Sequence, residues 1–464
     1  MTGTTMPTVT GHLPPRTHGL PLVGTLPALL RRPFPFFLAA RERYGDIYTL
    51  DLGVTRMTVL NHPSHAQHIL AERSANYGKG GALWESVRTL LGNGLAVSEG
   101  AFWLRQRRMM QPHFHRQRLA GLTSLMVEAI DASLQGWEAP AAARTPFNLS
   151  PAFASVTMQV IVKALFGQGL VRSQVDAVGA EMAFVVDYLL WGVLAQSLPR
   201  RLPLPGARRY QQALHTIDAV VALVIDQQRR APEPADHLLA MLLQMVDAET
   251  GEQMTDAQLR DEVVTFFLAG YETTSLTLSW ALHFLTHHPE TMARLVAEVD
   301  SVLAGRTPTF ADIPSLAYTR MVVQEALRMR PPAWHLTRTA IEADTIDGFN
   351  IPAGTTVALH TYAIQHHPRH WEQPERFEPE RFTPERSADR HKYAWIPFGA
   401  GQRQCIGKDL ALMEAQLILA MLLQRYAVAA VPGSVAAPQL STTLKPRGGV
   451  HVALSKRLPQ GVAG

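Results

Sequence analysis

The only cysteine of the chain, Cys405, lies in a glycine-containing loop that is suited to presenting a sulfur ligand to a flat metal macrocycle. The loop runs from Phe398 to Gly407 and reads FGAGQRQCIG. Gly401 and Gly407 permit turns and close approaches that a side chain resists. A helix is predicted from about Gly407, and its positive N-terminal end favours a thiolate at Cys405. A thiolate pushes electron density onto iron and promotes cleavage of an O–O bond. The alternative is an inert cysteine that packs as a small apolar residue.

A second segment with chemical potential, AGYETT, begins at Ala269 within a long predicted helix over residues 256–288. Gly270 leaves room on one helix face. The hydroxyl of Thr273 can donate to the carbonyl of Ala269 four residues earlier, which loosens the helix locally. Glu272 offers a proton source beside Thr273, and reductive splitting of dioxygen consumes protons. The alternative is an ordinary helix with a polar face and a tolerated glycine, which costs only about 1 kcal/mol.

A third pattern places an acid and a base three residues apart, at Glu325 and Arg328. On a helix this spacing puts both side chains on one face, where they can pair. A solvated surface ion pair is the default interpretation of such a pattern. Further along, the segment PERFEPERF contains the same tetrapeptide twice, with Arg376 and Arg381 at equivalent positions.

Taken together, these motifs resemble those of the cytochrome P-450 family. The cysteine loop matches the family signature Phe-x-x-Gly-x-Arg-x-Cys-x-Gly at every specified position, namely Phe398, Gly401, Arg403, Cys405 and Gly407. The AGYETT segment resembles the family's oxygen-activation motif, although Tyr271 is bulkier than expected there. The resemblance covers nearly the whole chain, from about Pro14 to the turn that ends at Pro446.

This resemblance implies a bound haem b with Cys405 as the axial ligand of its iron. It also implies a structural triad that locks the cysteine loop and takes no part in catalysis. Glu325 and Arg328 supply two members of that triad. We assign the third place to Arg381 rather than Arg376, because the family places this arginine shortly before the cysteine loop.

The family also suggests residues for the haem propionates and for the substrate pocket. Trp103 and Arg107, four residues apart on a predicted helix, resemble a Trp-x-x-x-Arg arrangement, and Arg338 and Arg403 match the other usual propionate contacts. Substrate is expected to touch a loop around residues 76–97, a helical hairpin at about 180–205 and the first half of the long helix. The apolar pocket candidates, which are alternatively core residues, are Leu83, Trp84, Leu90, Phe184, Leu268, Ala333 and Trp334.

The elements that must position these residues are mainly helical. Hydrophobic periodicity predicts helices over residues 101–111, 118–136, 151–166, 175–195, 206–230, 256–288, 290–304, 314–329 and 407–425. Short strands are predicted at 46–52, 58–61 and 355–359. We therefore expect a mainly α fold with a small β region. By resemblance it is a triangular single domain over 17–464, with haem between the long central helix and the cysteine loop, after a loose proline-containing arm over 1–16.

Composition excludes several other classes of protein. One cysteine rules out a disulfide framework and a cysteine-rich zinc site. Net charge is only +4, with no long basic run interleaved with aromatics, so nucleic acid is not an expected partner. No signal peptide is visible, and the stretch GLPLVGTLPALL is too short to span a bilayer. We expect a cytoplasmic monomer without a membrane anchor.

The chain contains no segment for a flavin or an iron–sulfur cluster, so electrons must come from another protein. The resemblance suggests NAD(P)H as the source, through a ferredoxin or flavodoxin with its reductase. A basic cluster of Arg105, Arg108, Arg116 and Arg118 is either a docking face for such an acidic partner or a solvated helix face.

The function implied is a haem-thiolate monooxygenase that hydroxylates or epoxidises a lipophilic molecule such as a terpenoid, fatty acid or polyketide, in secondary metabolism. One rival is a peroxide-using or isomerising haem-thiolate enzyme, which commonly lacks the acid–threonine pair. Another is a non-enzymatic haem sensor, which has no need of that pair.

Overall fold

The computed structural model describes residues 11–53, 55–143, 145–167, 170–195, 205–230, 237–439 and 441–457. The chain divides into two compact units, each built from separate segments. Unit 1 comprises Met1–Glu85, Ala333–Arg376 and Asp389–Cys405, and unit 2 comprises Ser86–Pro332, Phe377–Ala388 and Ile406–Gly464.

Most regular structure in the described residues is helical, as predicted. The α-helices are α1 (Leu26–Arg31), α2 (Pro33–Tyr44), α3 (Pro63–Gln67), α4 (Ala82–Leu91), α5 (Gly100–Met110), α6 (Arg116–Gln135), α7 (Glu138–Ala143), α8 (Leu149–Phe166), α9 (Arg172–Ala195), α10 (Ala207–Arg230), α11 (Leu238–Gln244), α12 (Asp256–His287), α13 (Pro289–Leu303), α14 (Ala317–Met329), α15 (Thr361–Gln365), α16 (Pro384–Ser387) and α17 (Lys408–Arg425). The strands are β1 (Ile47–Asp51), β2 (Arg56–Leu60), β3 (Tyr77–Gly78), β4 (Phe147–Asn148), β5 (Leu336–Ala340), β6 (Asp344–Ile346), β7 (Phe349–Ile351), β8 (Thr356–Leu359), β9 (Tyr426–Ala430), β10 (Pro438–Gln439), β11 (Lys445–Pro446) and β12 (His451–Lys456).

Unit 1 is built on a five-stranded sheet of order β1-β2-β8-β5-β3. The β1–β2 hairpin pairs Ile47 with Leu60, and β2 lies parallel to β8 while the other neighbours are antiparallel. Inward side chains such as Ile47, Leu60, Val357 and Leu359 are buried in a shared apolar core. Because successive side chains of a strand point to opposite faces of the sheet, these residues lie on the same face.

The segment predicted as a loose N-terminal arm is attached to unit 1 where it is described. Residues 1–10 of that prediction lie outside the described residues. His12 forms a bridge with Phe349, and Arg16 forms one with Thr49 while pairing with Asp51. Residues 11–16 are therefore held by strands of two sheets, β7 at His12 and β1 at Arg16, rather than loose.

Unit 2 is organised around α12, the long helix that the sequence predicts. Thr255 caps its start, since the Thr255 hydroxyl accepts from the Gln258 backbone N–H and the Gln258 side chain accepts from the Thr255 N–H. The helix ends at His287, just before Pro289 begins α13. Most of its length is buried, and it packs closely on α8. A helix buried on most sides is a rigid platform for the motif that begins at Ala269.

The partner of α12, helix α8, is apolar along its whole length. It is the one helix in the described part of the chain that is long and apolar enough to cross a membrane by composition, and 61% of it is buried inside the protein. Burial against α12 and α6 explains that apolar character.

Candidate active site

The cysteine loop in unit 1 is held by backbone contacts that only glycine permits. Gly401 has a φ of +67°, and a Cβ there would stand 1.8 Å from the carbonyl oxygen of Leu70. The Cys405 N–H donates to the carbonyl of Phe398 at 2.9 Å, which closes the loop. The Cys405 side chain is exposed, although free cysteine is among the residue types most often buried. The loop thus offers an accessible sulfur on a fixed backbone.

Two predicted propionate contacts also lie in unit 1. Arg403 is the last residue of a 3₁₀ turn over Gly401–Arg403, and its side chain is half-buried. Arg338 is buried on β5, where its guanidinium donates to the carbonyl of Thr337 at 2.7 Å. The ring of Phe398 packs edge-on against Trp395, with centroids 6.0 Å apart.

Gly407 begins the helix that follows the cysteine loop, as predicted, but its backbone does not demand a glycine. It is the N-cap residue of α17 with φ −85° and ψ 11°, a conformation that other residues adopt. Its carbonyl accepts from the Ala411 N–H at 2.8 Å. The expectation that Gly407 supplies a special turn is therefore not supported by its torsion angles.

In unit 2 the oxygen-activation segment has the hydroxyl-to-carbonyl hydrogen bond that the sequence suggested, within a helix that is continuous over Asp256–His287. The Thr273 hydroxyl donates to the carbonyl of Ala269 at 2.7 Å. The Thr157 hydroxyl, on α8, donates a hydrogen bond of 2.8 Å to the carbonyl of Tyr271 on α12. Ala269 is exposed and Thr273 is half-buried, although most of α12 is buried around them. The helix therefore presents one alcohol and a small side chain at an open position in its middle.

The predicted role of Gly270 is different in the structure. A Cβ at Gly270 would stand 2.7 Å from a side-chain carbon of Ile161 on α8. The glycine lets α12 and α8 approach closely, and this is a packing role. Space at the open position of α12 comes from Ala269 instead.

Glu272 makes contacts that the sequence did not indicate. Its Oε1 accepts from the Thr443 hydroxyl at 2.9 Å and lies 3.2 Å from the Lys445 Nζ. Lys445 also pairs with Asp187 at 2.7 Å. Burial lowers the pKa of Lys445, but the carboxylates of Glu272 and Asp187 more than offset this, so the net pKa is raised. The acid is thus bound to an alcohol from the bend before β11 and to a cation on the first residue of β11.

The predicted structural triad is assembled in unit 2. Arg328 donates twice to Glu325, at 2.7 Å and 2.9 Å, and both side chains are fully buried. The Nε of Arg381 lies 3.5 Å from Glu325, and its Nη2 lies 3.2 Å from Glu378. The Glu378 N–H also donates to Glu325. Arg376, the alternative third member, is exposed.

Burial affects the titration of two of these groups. Burial raises the pKa of Glu325, although Arg328 works in the opposite direction. Burial likewise lowers the pKa of Arg381, against the attraction of Glu325. Each group loses hydration and is compensated by its partner, as expected of a buried ion pair.

Helix α5 carries the remaining propionate candidates. Trp103 is buried and Arg107 is half-buried one turn later. The Arg107 Nε donates to Gln111 at 3.2 Å.

Several pocket candidates have structural contacts. Trp334 is buried among the rings of Phe34 and Phe37 in unit 1. Phe184 lies between Tyr188 and the guanidinium of Arg209. Each of these two residues has packing partners within its own unit, and the assignment of both to the substrate pocket stays a prediction.

Other candidates in the set differ in burial. Leu90 is fully buried, whereas Leu83, Trp84, Leu268 and Ala333 are half-buried. Trp84 donates to the carbonyl of Thr337 and stacks under Lys79. The expected loop around 76–97 also contains helix α4, so it is a more regular element than predicted.

The basic cluster is largely neutralised by its own chain where its side chains are described. Arg105 pairs with Glu252, and Arg108 pairs with Asp247 at 2.6 Å and Glu249 at 2.5 Å. These contacts do not favour it as a docking face for an acidic partner.

Unit 1 offers an accessible cysteine on a loop shaped by Gly401, and unit 2 offers a long helix with an accessible alcohol, Thr273, next to the acid Glu272. The residues present fit a haem, because the sulfur and the open helix position are both accessible. A family model described as Cytochrome P450 matches residues 14–452. The chain belongs to the cytochrome P-450 family, as its motifs predicted, and it is a monooxygenase.

Named relatives and solved structures agree with this assignment. The chain is 37% identical over 416 residues to cyclooctat-9-en-7-ol 5-monooxygenase of Streptomyces melanosporofaciens, covering 89% of each chain. It is 34% identical over 445 residues to pentalenene oxygenase of Streptomyces avermitilis, covering 95% of this chain and 96% of the relative. It is similar in structure to the haem domain of cytochrome P-450DA, with a TM-score of 0.86, 26% identity and coverage of 97% and 99%.

Sequence reasoning missed Thr443 and Lys445 as partners of the predicted acid. Both lie more than 170 residues after Glu272, in a segment fixed by backbone bonds of Leu444 to Pro332 and Trp280. A lysine at the start of a two-residue strand carries no local signal of such a contact.

Proposed function

We propose that this monooxygenase inserts one oxygen atom from dioxygen into a cyclic terpenoid, by hydroxylation or epoxidation. The observation that carries the proposal is the Thr273 hydroxyl bonded to the Ala269 carbonyl in the open middle of α12. The names of two relatives, cyclooctat-9-en-7-ol 5-monooxygenase and pentalenene oxygenase, favour a terpenoid over a fatty acid or a polyketide.

In this proposal each group of residues has a separate task. Cys405 holds the haem iron, and the haem, when bound, supplies the activation of dioxygen. Arg338 and Arg403 contact the propionates, and Trp103 with Arg107 does the same from α5. Each of these side chains offers an N–H donor to a carboxylate.

Proton delivery is the task of the α12 motif. Glu272 takes protons from outside the site and passes them toward the Thr273 hydroxyl. Thr273 positions that proton, because its own hydrogen bond to Ala269 fixes the direction of its oxygen. Thr443 and Lys445 hold the carboxyl of Glu272 in place.

Electrons are proposed to come from NAD(P)H through a separate ferredoxin or flavodoxin and its reductase. The composition supports this, since the single cysteine cannot supply the set of cysteine ligands that an iron–sulfur cluster requires. The protein is proposed to work in the cytoplasm as a monomer.

A spectral titration of the ferric protein tests the substrate class. We expect cyclic terpenes to shift the Soret band from low to high spin, because an apolar ligand displaces water from the iron. Fatty acids and macrolides serve as comparison ligands. A shift with fatty acids or macrolides and none with any terpene would contradict the assigned class. Cys405→Ser is expected to lose the thiolate spectrum altogether.

The proton-delivery proposal is tested with Thr273→Ala, using Thr273→Ser as the matched control. The alanine variant is expected to consume oxygen while forming about tenfold less product, since a positioned proton donor is lost. The serine variant keeps the hydroxyl and is expected to stay near the wild type. Equal coupling in the alanine variant and the wild type would exclude this role for Thr273.

A further inference from the structure

We propose that the N-terminal turn and helix α1 form a surface that binds reversibly to anionic lipid. The proposal concerns an apolar patch made of Leu20, Leu22, Val23 and Leu30, and an arginine pair, Arg31 and Arg32. It goes beyond the oxygenation reaction and needs no catalysis to be tested.

The apolar patch is exposed to an unusual degree. Leu22 is 90% exposed, Leu20 61%, Leu30 58% and Val23 41%. Single exposed apolar side chains are normal on a protein surface. Four such side chains within eleven residues are more than isolated exposed positions, and exposed apolar surface rimmed by polar residues is typical of interaction sites.

The turn that carries Leu22 is held rigidly in this exposed position. Leu20 and Gly24 exchange two backbone hydrogen bonds of 2.9 Å, and Leu22 has a φ of +67°, which leucine rarely adopts. A Cβ at Gly24 would stand 2.3 Å from the carbonyl oxygen of Asp51. A Cβ at Gly53 would stand 2.0 Å from the carbonyl oxygen of Leu22. Tight backbone packing therefore maintains a conformation that points leucine at solvent. An unfavourable conformation kept by its surroundings suggests a function.

The positive charge beside the apolar patch indicates which kind of surface the patch would bind. The first 41 residues of the sequence contain no Asp or Glu. Arg31 and Arg32 are exposed directly after Leu30, and neither forms an ion pair or side-chain hydrogen bond with the residues that the structure describes. Cations next to an apolar protrusion, without acidic neighbours in sequence, complement an anionic lipid surface.

A shallow groove beside the arginine pair adds to this surface. It has a volume of about 480 Å³ and is lined by Ala28, Arg31, Arg32, Pro35 and Phe36. Its lining is mainly apolar, and side chains of both arginines contribute to it. That combination suits a lipid, whose phosphate can meet the arginines while an acyl chain meets Phe36 and Pro35.

Vesicle co-sedimentation of the purified full-length protein tests the proposal. The probes are vesicles of an equal mixture of phosphatidylcholine and phosphatidylglycerol, and vesicles of phosphatidylcholine alone. We expect the wild type to bind the anionic vesicles and to bind the neutral ones at least about tenfold more weakly, since each arginine contributes about fivefold on an anionic surface. High salt should weaken the anionic binding.

Two variants and two matched controls localise the effect. Leu22→Asp and the double variant Arg31→Glu/Arg32→Glu are expected to reduce anionic binding by about tenfold or more. Val435→Asp changes another highly exposed apolar residue, and Arg229→Glu/Arg230→Glu reverses another adjacent arginine pair. Both controls are expected to bind nearly as well as the wild type. Unchanged thermal unfolding would show that the variants are folded.

Three outcomes would overturn the proposal. The first is no binding of the wild type to anionic vesicles. The second is equal loss of binding in Leu22→Asp and Val435→Asp. The third is a concentration-dependent dimer that Leu22→Asp abolishes in the absence of lipid binding, which would assign the patch to a second copy of the chain.

Discussion

The ammonium group of Lys445 lies 3.2 Å from the carboxylate of Glu272, the acid of the oxygen-activation motif. Lys445 also contacts Asp187, and Thr443 donates to the same Glu272 oxygen. The acid that the sequence places next to Thr273 is therefore held by a distant segment of unit 2. In the proposed function, in which Glu272 delivers protons, we therefore expect Lys445 to position the carboxyl that delivers them.

Replacing Lys445 by methionine is expected to slow product formation by about tenfold. The variant keeps the side-chain length but leaves the Glu272 carboxyl without its cation. Glu272→Gln, which removes the acid itself, is expected to cost about 100-fold, in the range of a lost general acid. The measurements are the product rate and its solvent isotope effect, which should increase in both variants.

Lys456→Met is the matched control for this experiment. Lys456 makes a surface contact of 3.6 Å with Glu138 and is mostly exposed. It is expected to leave the rate and the isotope effect unchanged. If Lys445→Met also leaves both unchanged, Lys445 has no positioning role for Glu272.

Breaking the buried triad is expected to destabilise the fold. Glu325→Gln removes the charge that compensates Arg328 and Arg381, and it should lower the unfolding free energy by about 3–5 kcal/mol. Chemical denaturation of the variant and the wild type measures the difference. The cost arises because Arg328 is fully buried and would keep its charge without a partner.

The same experiment distinguishes the two arginines of the PERFEPERF segment. Arg381→Gln is expected to approach the cost of Glu325→Gln, because Arg381 is buried beside Glu325. Arg376→Gln is expected to change the unfolding free energy by less than about 1 kcal/mol, as is usual for an exposed position. A larger loss in Arg376→Gln than in Arg381→Gln would reverse our assignment.

Local sequence signals were sufficient for the long elements of this protein. The period of apolar residues predicted a helix over 256–288, and α12 spans Asp256–His287, one residue shorter at its end. The family motifs led to Cys405, to the Thr273–Ala269 bond and to the Glu325–Arg328 pair, since each depends on residues close in sequence.

The elements that the sequence did not predict depend on distant partners or have weak local patterns. Helix α2 begins with two prolines among phenylalanines, which obscured its periodicity. Strand β9 is rich in alanine, which has little preference for strands, and it is fixed by pairing with β12. The packing of Gly270 on Ile161 and of Trp334 on Phe37 likewise brings together residues far apart in the chain.

A buried acid on α12 gives a prediction about stability and pH. Glu262 is fully buried, and its carboxyl accepts from the Leu95 N–H at 3.0 Å. Burial raises the pKa of Glu262 to about 8. The folded protein therefore retains a proton that the unfolded chain releases above its ordinary pKa of 4.5, so stability is lost as pH rises from 4.5 to 8.

Glu262→Gln is expected to avoid this loss. Glutamine still offers an oxygen to Leu95 but cannot ionise. At pH 7 the variant should be more stable than the wild type by about 3 kcal/mol, and the difference should vanish near pH 4.5. Denaturant titrations across this pH range measure it. Asp218→Asn is the control, because it weakens the ion pair with Arg260 and should destabilise at neutral pH, while Asp218 is not among the groups that shift the pKa of Glu262. A constant difference between Glu262→Gln and the wild type at all pH values would contradict the prediction.

A buried histidine in unit 1 predicts the opposite dependence on pH. His360 is buried beside Phe37, with ring centroids 4.0 Å apart, and its Nδ1 accepts from the Ala363 N–H at 3.0 Å at the start of α15. Burial lowers the pKa of His360 to about 3, and His335 adds to the effect. A second proton would have to go on Nδ1, where it would break the helix cap.

His360→Asn tests this dependence, since asparagine can cap a helix but does not titrate. In the wild type the unfolded chain binds a proton below pH 6.5 while the folded state resists it down to about pH 3. Unfolding free energy should therefore fall as pH drops through this window, by on the order of 3 kcal/mol from this group. The variant is expected to be less stable at pH 7, because the smaller side chain leaves a cavity beside Phe37. Its stability should nevertheless decline less steeply between pH 6.5 and 3. If the unfolding free energies of the variant and the wild type change equally with pH, His360 is not the group that resists protonation.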